Sequence, residues 1–384
     1  MRRTKVAIVH SLMTSYRVPL FRRLLRDDEI DARIFINDRP SPNRPNDPGS
    51  GILEDQRVVC LPEIGYPPYI KGDEKIRFNT GIGKIFKWGP DVIVVFGYNE
   101  PTNLLVLMMS ILKKVPFVLM AEVGPQQTPS LRRRLSGPLV GFIVRRAAGI
   151  GAASSSCERH FASLGASQKH MTRMPCMPDV SSIMNMSSNM APAVELKKRF
   201  GLENKFVVVF LGRFLACKGI VEMFAAIDKV GQRFPDVVLV VAGFGLMDAF
   251  VKDECEKRGK RCIYYGIVRG HEELCALFNA SDVHLMPSWY EGFGVVAAEA
   301  LSCGLPTIVT SSSGCVDIVA HGENGLIINP RDPDAIADAI VKLRTDPALL
   351  RKMKAAAKGS VEPLNMDALY QRLKTMVTSA TCSE

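Results

Sequence analysis

Apolar positions along the chain fall into short dense runs, separated by stretches with a longer period. K-V-A-I-V-H (5–10), A-R-I-F-I-N (32–37), D-V-I-V-V-F-G (91–97) and P-F-V-L-M-A (116–121) are apolar on both faces, as strands buried in a parallel sheet are. The second half repeats the pattern in F-V-V-V-F-L-G (206–212), V-V-L-V-V-A-G (237–243), C-I-Y-Y-G (262–266), V-H-L-M-P (283–287) and P-T-I-V-T (306–310). Amphipathic segments such as I-V-E-M-F-A-A-I-D-K-V (220–230) lie between them at helical spacing. Two successive β-α series predict an α/β chain of two doubly wound, Rossmann-like domains. The aperiodic stretch 175–192, rich in Pro, Ser and Asn, marks the seam. The expected division is 1–180, then 181–360, with a helix in 361–384 packing back on the first domain. D-R-P-S-P-N-R-P-N-D-P-G-S-G (38–51) carries too much Pro and Gly for helix or strand. It is expected to project over the ligand-side edge, either as an acceptor loop or as a plain solvated loop.

Composition narrows the class. A length of 384 residues suits two domains, each with its own core. No apolar run approaches the roughly 20 residues that span a bilayer; the longest, L-L-V-L-M-M-S-I-L (104–112), stops at Lys113 and Lys114. The apolar run near the start is only Val6 to Val9, which reads as a strand rather than a signal peptide. Ten cysteines without a C-x-x-C pair suggest neither a zinc site nor a disulfide framework and fit a reducing cytoplasm. Charge is unevenly placed: residues 1–180 hold 26 Lys and Arg against 16 Asp and Glu, and the remainder holds 23 of each, so the net +10 belongs to the first half. That half is expected to meet something anionic.

Ligands of open α/β sheets bind outside the carboxyl ends of the strands, so the residues that follow each strand are the candidates for chemistry. In F-L-G-R-F-L-A-C-K-G (210–219), Gly212 permits a tight departure, and Arg213 and Lys218 follow five apart. A planar fork and a point cation together suit a diphosphate, although two surface charges near a helix start would look alike. A-G-F-G (242–245) is a weaker turn, contributing Gly243. In E-G-F-G-V-V-A-A-E-A-L-S (291–302) a glycine turn leads into a helix whose free amides favour an anionic or hydroxyl-rich ligand. Glu291 and Glu299 then hold different parts of one elongated ligand, or are two solvated acids.

The run E-G-F-G-V-V-A-A-E-A-L-S-C-G-L-P resembles the E-x7-E signature of the retaining glycosyltransferases of family 4, which have the two-domain GT-B fold. G-R-F-L-A-C-K-G, A-G-F-G, Y-G-I-V, S-D-V-H-L-M-P-S and the closing segment H-G-E-N-G-L-I-I-N-P-R-D-P-D-A-I-A-D-A-I stand in family order, over about 205–345. The resemblance implies that Arg213 and Lys218 bind the donor diphosphate and stabilise charge on the leaving group. It places Glu291 at the transferred sugar and gives Glu299 hydrogen bonds from the ribose hydroxyls. Gly292, Phe293, Gly294 and Val295 would offer backbone to sugar and phosphate, while Ile267 and Val268 border the base. It implies no cofactor beyond a nucleotide-diphosphate sugar as co-substrate, and no metal. The one D-x-D, Asp332-Pro333-Asp334, reads as a helix cap with Pro at the first turn.

The first half departs from the family. Instead of a glycine pair after the first strand it has H-S-L-M-T-S-Y-R-V-P-L-F, similar to a branch with a Y-R-x-P-L-F segment. Tyr16 and Arg17 enter as candidates here, Arg17 either replacing amide contacts to the diphosphate or merely capping the approaching helix. Tyr98 and Glu122 are candidates by position after strands. P-S-L-R-R-R-L-S-G-P-L-V-G-F-I-V-R-R-A-A (129–148) carries five arginines and no acid, with Leu135, Leu139, Phe142 and Ile143 at helical spacing. It resembles the interfacial segment of transferases with lipid-linked acceptors, or is a core helix with solvated ends. The expected function is transfer of a hexose-type sugar to a lipid-linked saccharide in polysaccharide or glycoconjugate synthesis, at the inner face of the cytoplasmic membrane. The alternatives are a small soluble or phosphorylated acceptor, and an inactive nucleotide-sugar-binding protein. No aromatic-interleaved basic motif points to nucleic acid.

Overall fold

The computed structural model describes residues 2–11, 13–14, 16–37, 50–64, 78–122 and 131–382, with backbone alone at 50, 63–64 and 131–136. The chain divides into two compact units, Met1–Cys176 with Met366–Glu384, and Met177–Asn365. The seam therefore falls between 176 and 177, and residues 361–365 stay with the second unit.

In the first unit the strands are β1 (Thr4–His10), β2 (Ile30–Ile36), β3 (Val58–Cys60), β4 (Glu63–Ile64), β5 (Phe78–Asn79), β6 (Val92–Phe96), β7 (Phe117–Ala121), β8 (Gly149–Ala152) and β9 (Met171–Arg173). Seven of them form a parallel sheet in the order β3-β2-β1-β6-β7-β8-β9, while β4 and β5 pair antiparallel. Winding reverses between β1 and β6, whose Val6–Val9 and Val92–Val95 lie in register. Central strands are buried along their length because helices cover both faces, which is why they read as continuous apolar runs. The helix Met366–Cys382 belongs to this unit and is tied to it by Lys374, which bonds Asp27 at 2.9 Å, and by Arg372, which donates to the Arg173 carbonyl at 3.0 Å.

The second unit holds β10 (Phe206–Arg213), β11 (Val237–Phe244), β12 (Cys262–Gly266), β13 (Val283–Met286), β14 (Thr307–Thr310) and β15 (Gly325–Ile328). They form a parallel six-stranded sheet in the order β12-β11-β10-β13-β14-β15, reversing between β10 and β13. One core layer runs from Phe206, Val208 and Phe210 to Ile336 and Ile340; the other joins Val207 and Val209 to Leu274 and Phe278. Alternate side chains of β10 thus feed opposite faces of the sheet.

Several expectations are corrected. Residues 129–130 and the loop at 38–49 lie outside the described residues, and Ser50 and Gly51 open a short helix, Ser50–Leu53, rather than remaining loop. The basic segment forms one helix, Leu131–Val144, continuous through Pro138. Ile143, expected on a lipid-facing stripe, is fully buried beside Val140 and Val144, and Phe142 packs partly buried on the same core. Leu139 is 40% exposed, whereas the side chains of Arg132, Arg133, Arg134 and Leu135 lie outside the described residues. Among the described residues no helix is long and apolar enough to cross a membrane. Asp332 caps the helix Pro333–Thr345, accepting from the Ala335 amide at 2.9 Å.

Candidate functional site

The winding of the second sheet reverses between β10 and β13, where open parallel sheets bind their ligands, and Arg213, Lys218 and Glu291 follow these two strands. β10 ends at Arg213, the exposed last residue of the strand; among the described residues its guanidinium has no hydrogen bond or ion pair. Gly212 stands in register with Gly243 on β11. The chain then makes a single tight turn, Ala216–Lys218, before the helix Ile220–Arg233. Gly219 sits at φ +70°, and a Cβ there would come within 2.1 Å of the Pro287 carbonyl oxygen. The turn that carries Lys218 is thereby pressed against the loop that follows β13, which no side chain larger than hydrogen would allow.

That loop is fastened from two sides. The Trp289 amide donates to the Cys217 carbonyl at 2.8 Å. From the far side, Thr310 Oγ1 donates to the Ser288 carbonyl at 2.6 Å and Ser312 Oγ to the Trp289 carbonyl at 2.7 Å. The Gly314 amide donates to the Glu291 carbonyl at 3.0 Å, extending a bridge between Glu291 and Ser313. Held this way, Glu291 accepts from the Lys218 ammonium, 73 residues away in sequence. Both side chains are largely withdrawn from water, at 17% and 23% exposure, so the pair is stronger than a surface one. The assignment of Lys218 to a diphosphate and Glu291 to a sugar meets a direct contact between the two side chains.

Beyond Glu291, Phe293 is buried and Gly294 opens the helix Val295–Ser302 at φ +96°, a left-handed position where a Cβ would lie 2.8 Å from Met286. The turn Gly292–Gly294 leaves Val295 half-buried at the helix start, where the first amides lack intrahelical partners. Glu299 stands on the second turn of this helix. Its side chain is half-buried, and loss of water around the carboxyl, with the Cys275 thiol adjoining, pushes its pKa up to about 8. Among the described residues its carboxyl has no hydrogen bond or ion pair. Ile267 and Val268 follow β12 half-buried, immediately before the helix Gly270–Asn279.

The first unit gathers a different group at the carboxyl ends of its own strands. Arg17, 4% exposed, donates through Nη2 to Glu122 Oε1 at 2.6 Å and to Cys176 Sγ at 3.2 Å. Tyr16 donates its hydroxyl to the same Glu122 oxygen at 3.2 Å. Arg17 occupies the cap position of the helix Val18–Leu25 but makes no capping bond with its side chain, which counts against the capping alternative. Burial would raise the Glu122 pKa; Arg17, with Cys176 and His10 assisting, holds it below the ordinary carboxylate range. Tyr98 is turned elsewhere, its hydroxyl 2.8 Å from His160 Nε2. Nothing local in the sequence marks Cys176, His160 or the Thr310–Ser312 strap, whose partners lie far away along the chain.

Residues 194–360 match the family model described as glycosyl transferases group 1. An uncharacterized glycosyltransferase of Methanocaldococcus jannaschii is 33% identical over 156 residues, 40% of this chain and 40% of its own. A GDP-mannose-dependent α-(1-6)-phosphatidylinositol monomannoside mannosyltransferase of Mycolicibacterium smegmatis is 30% identical over 172 residues, 42% of this chain and 45% of its own. The chain thus spans less than half the length of these curated relatives. Anabaena HepE in complex with UDP superposes with a TM-score of 0.77 at 18% identity, covering 98% of this chain and 100% of that one. HepE structures also hold UDP with glucose, and UDP-glucose. The fold is GT-B, two parallel-sheet Rossmann-like domains.

Proposed function

We propose that the chain is a glycosyltransferase that moves a hexose-type sugar from a nucleotide-diphosphate donor to a saccharide acceptor. The observation that carries this reading is the Lys218–Glu291 contact at the reversal of the second sheet, next to an exposed Arg213 and a glycine-opened helix start. Arg213 and Lys218 supply the positive charge a departing diphosphate needs, and no metal is assigned to that task. Glu291 holds the transferred sugar, and in the resting site it keeps the Lys218 ammonium in place until the donor arrives. Glu299 accepts from the ribose hydroxyls; Gly212, Gly243, Gly292, Phe293, Gly294 and Val295 line the path between, with Ile267 and Val268 at the base. Retention of anomeric configuration follows from the E-x7-E resemblance.

The acceptor belongs to the first unit, which holds 28 Lys and Arg against 17 Asp and Glu, leaving 21 against 22 in the second. We assign a lipid-linked saccharide at the inner face of the cytoplasmic membrane, in polysaccharide or glycoconjugate synthesis. The basic helix Leu131–Val144 with Arg145 and Arg146 supports it, and the phosphatidylinositol mannoside substrate named for the M. smegmatis relative agrees. The same charge suits a soluble phosphorylated acceptor, which is the second reading. Thermal unfolding with UDP-glucose and GDP-mannose tests the donor site. At about a hundredfold excess over Kd, one of them should raise Tm by about 5 °C or more, and Arg213→Ala with Lys218→Ala should abolish the shift. No shift with either donor in the wild type contradicts the reading.

A further inference from the structure

Arg17 and Glu122 stand 105 residues apart in sequence and meet at 2.6 Å. The guanidinium lies 4.9 Å from the Phe96 ring and 5.2 Å from the Tyr16 ring, so aromatic walls fix its plane. A buried cation without a partner is strongly unfavourable, and Glu122 answers it. The acid itself is not sealed: its side chain keeps 37% of its surface while Arg17 keeps 5%. An ion pair serving stability alone gains little from this asymmetry, because the open side is screened by water. Arg17 follows β1 and Glu122 follows β7, the strand next to β6, so the pair lies where the winding of the first sheet reverses. Open parallel sheets bind their ligands at such a place.

We infer that Arg17 is a positioning residue that presents the Glu122 carboxylate to hydroxyl groups of a neutral saccharide bound at this edge of the first unit. The inference rests on reading the chain as a glycosyltransferase and names the class of ligand that unit holds. An ionised carboxylate only accepts hydrogen bonds, which matches the donors of a sugar ring. A phosphate at the same place would face the like charge of the Glu122 carboxylate, which repels it. Among the described residues, the groups facing Glu122 are Arg17, Tyr16, Cys176 and His10; of these Arg17 is the strongest influence holding the acid ionised, against burial that favours its neutral form. Loss of Arg17 removes the largest of the influences that oppose burial and leaves only Cys176 and His10 against it.

Saturation-transfer NMR of the full chain with methyl α-glucopyranoside and methyl α-mannopyranoside tests this. The wild type should bind at least one of them with an affinity that is flat between pH 5 and 7. Glu122→Gln should weaken binding about tenfold, Arg17→Lys should keep the flat profile, and Arg17→Gln should lose affinity as the pH falls. The double variant Arg17→Gln/Glu122→Gln should show no such pH dependence, which assigns the difference between profiles to Glu122. A purely structural ion pair would not produce that difference. Binding of neither sugar, unchanged binding in Glu122→Gln, or matching profiles for Arg17→Gln and the wild type overturns the inference. Should Arg17→Gln fail to fold, as circular dichroism would show, Glu122→Gln decides it. UDP and GDP binding are followed in parallel: either nucleotide bound without sugar sinks only this inference, while absence of binding of both sinks the donor site.

Discussion

Glu299 is where the electrostatics of the donor site make their sharpest demand. Ribose hydroxyls are held best by a carboxylate, yet burial and the Cys275 thiol raise this group to about 8, so most of the ligand-free protein at neutral pH carries it protonated. If the donor binds the ionised form, the proton must leave on binding. A site that needs a carboxylate loses about tenfold in affinity per pH unit below its pKa, so the Kd for donor should fall by about 50-fold at most between pH 6 and pH 8. The diphosphate of UDP-glucose or GDP-mannose does not titrate in that window, which leaves the protein as the source of the slope. Calorimetry in two buffers of different ionisation enthalpy should report close to one proton released near pH 6.5. Glu299→Gln should bind more weakly at pH 8 and show little pH dependence. A flat Kd in the wild type, or an equal slope in the variant, would refute both the raised pKa and the ribose contact.

The other expectations are more local. The folded pKa of Glu299 lies above its unfolded value, so its contribution to stability is complete in acid, below the unfolded carboxylate pKa, and is lost as pH rises through about 8. Glu299→Gln should therefore melt higher than the wild type at pH 9, and a melting difference that does not change with pH would contradict this. Gly219→Ala sets a Cβ 2.1 Å from the Pro287 carbonyl in a left-handed conformation. It should cost the second unit about 2 kcal/mol or more, with donor affinity falling as the two loops part; an unchanged Tm would show that they give way freely. Glu291→Gln releases Lys218 from its counter-ion, so the nucleoside diphosphate of the donor, UDP or GDP, should bind several-fold more tightly, about 1 kcal/mol for a half-screened pair, while sugar transfer falls. Weaker binding of that nucleotide would instead place Glu291 against it.

Much of the second unit can be read from its sequence because each strand is a short β-branched run and each candidate follows directly. β10, β11 and β12 lie within a residue of their predicted ends. β8 is hard to read from sequence: Gly149-Ile150-Gly151-Ala152 has few side chains to announce a strand, and the space beside Gly151 is filled by the end of the Met120 side chain. β3 and β9, three residues each at opposite edges of the sheet, are too short for a period to show. Proximity in sequence also decided what was legible in the site. Arg213 and Lys218 are five apart and could be weighed together, but nothing local shows that Lys218 touches Glu291. Nor does anything local tell that Arg17 spends its guanidinium on Glu122 rather than on a helix cap. Nor does the sequence around Glu299, flanked by alanines, show that its carboxyl is kept protonated, because the thiol that contributes comes from another helix.

The most direct measurement is release of free nucleotide from UDP-glucose and GDP-mannose by the full chain, with saccharide acceptor probes present, comparing wild type with Lys218→Ala and Glu291→Ala. The account predicts turnover of one donor by the wild type and a loss of about a hundredfold or more in kcat for each variant, as expected when charge stabilisation at the leaving group is removed. Turnover that survives unchanged in both variants would contradict it.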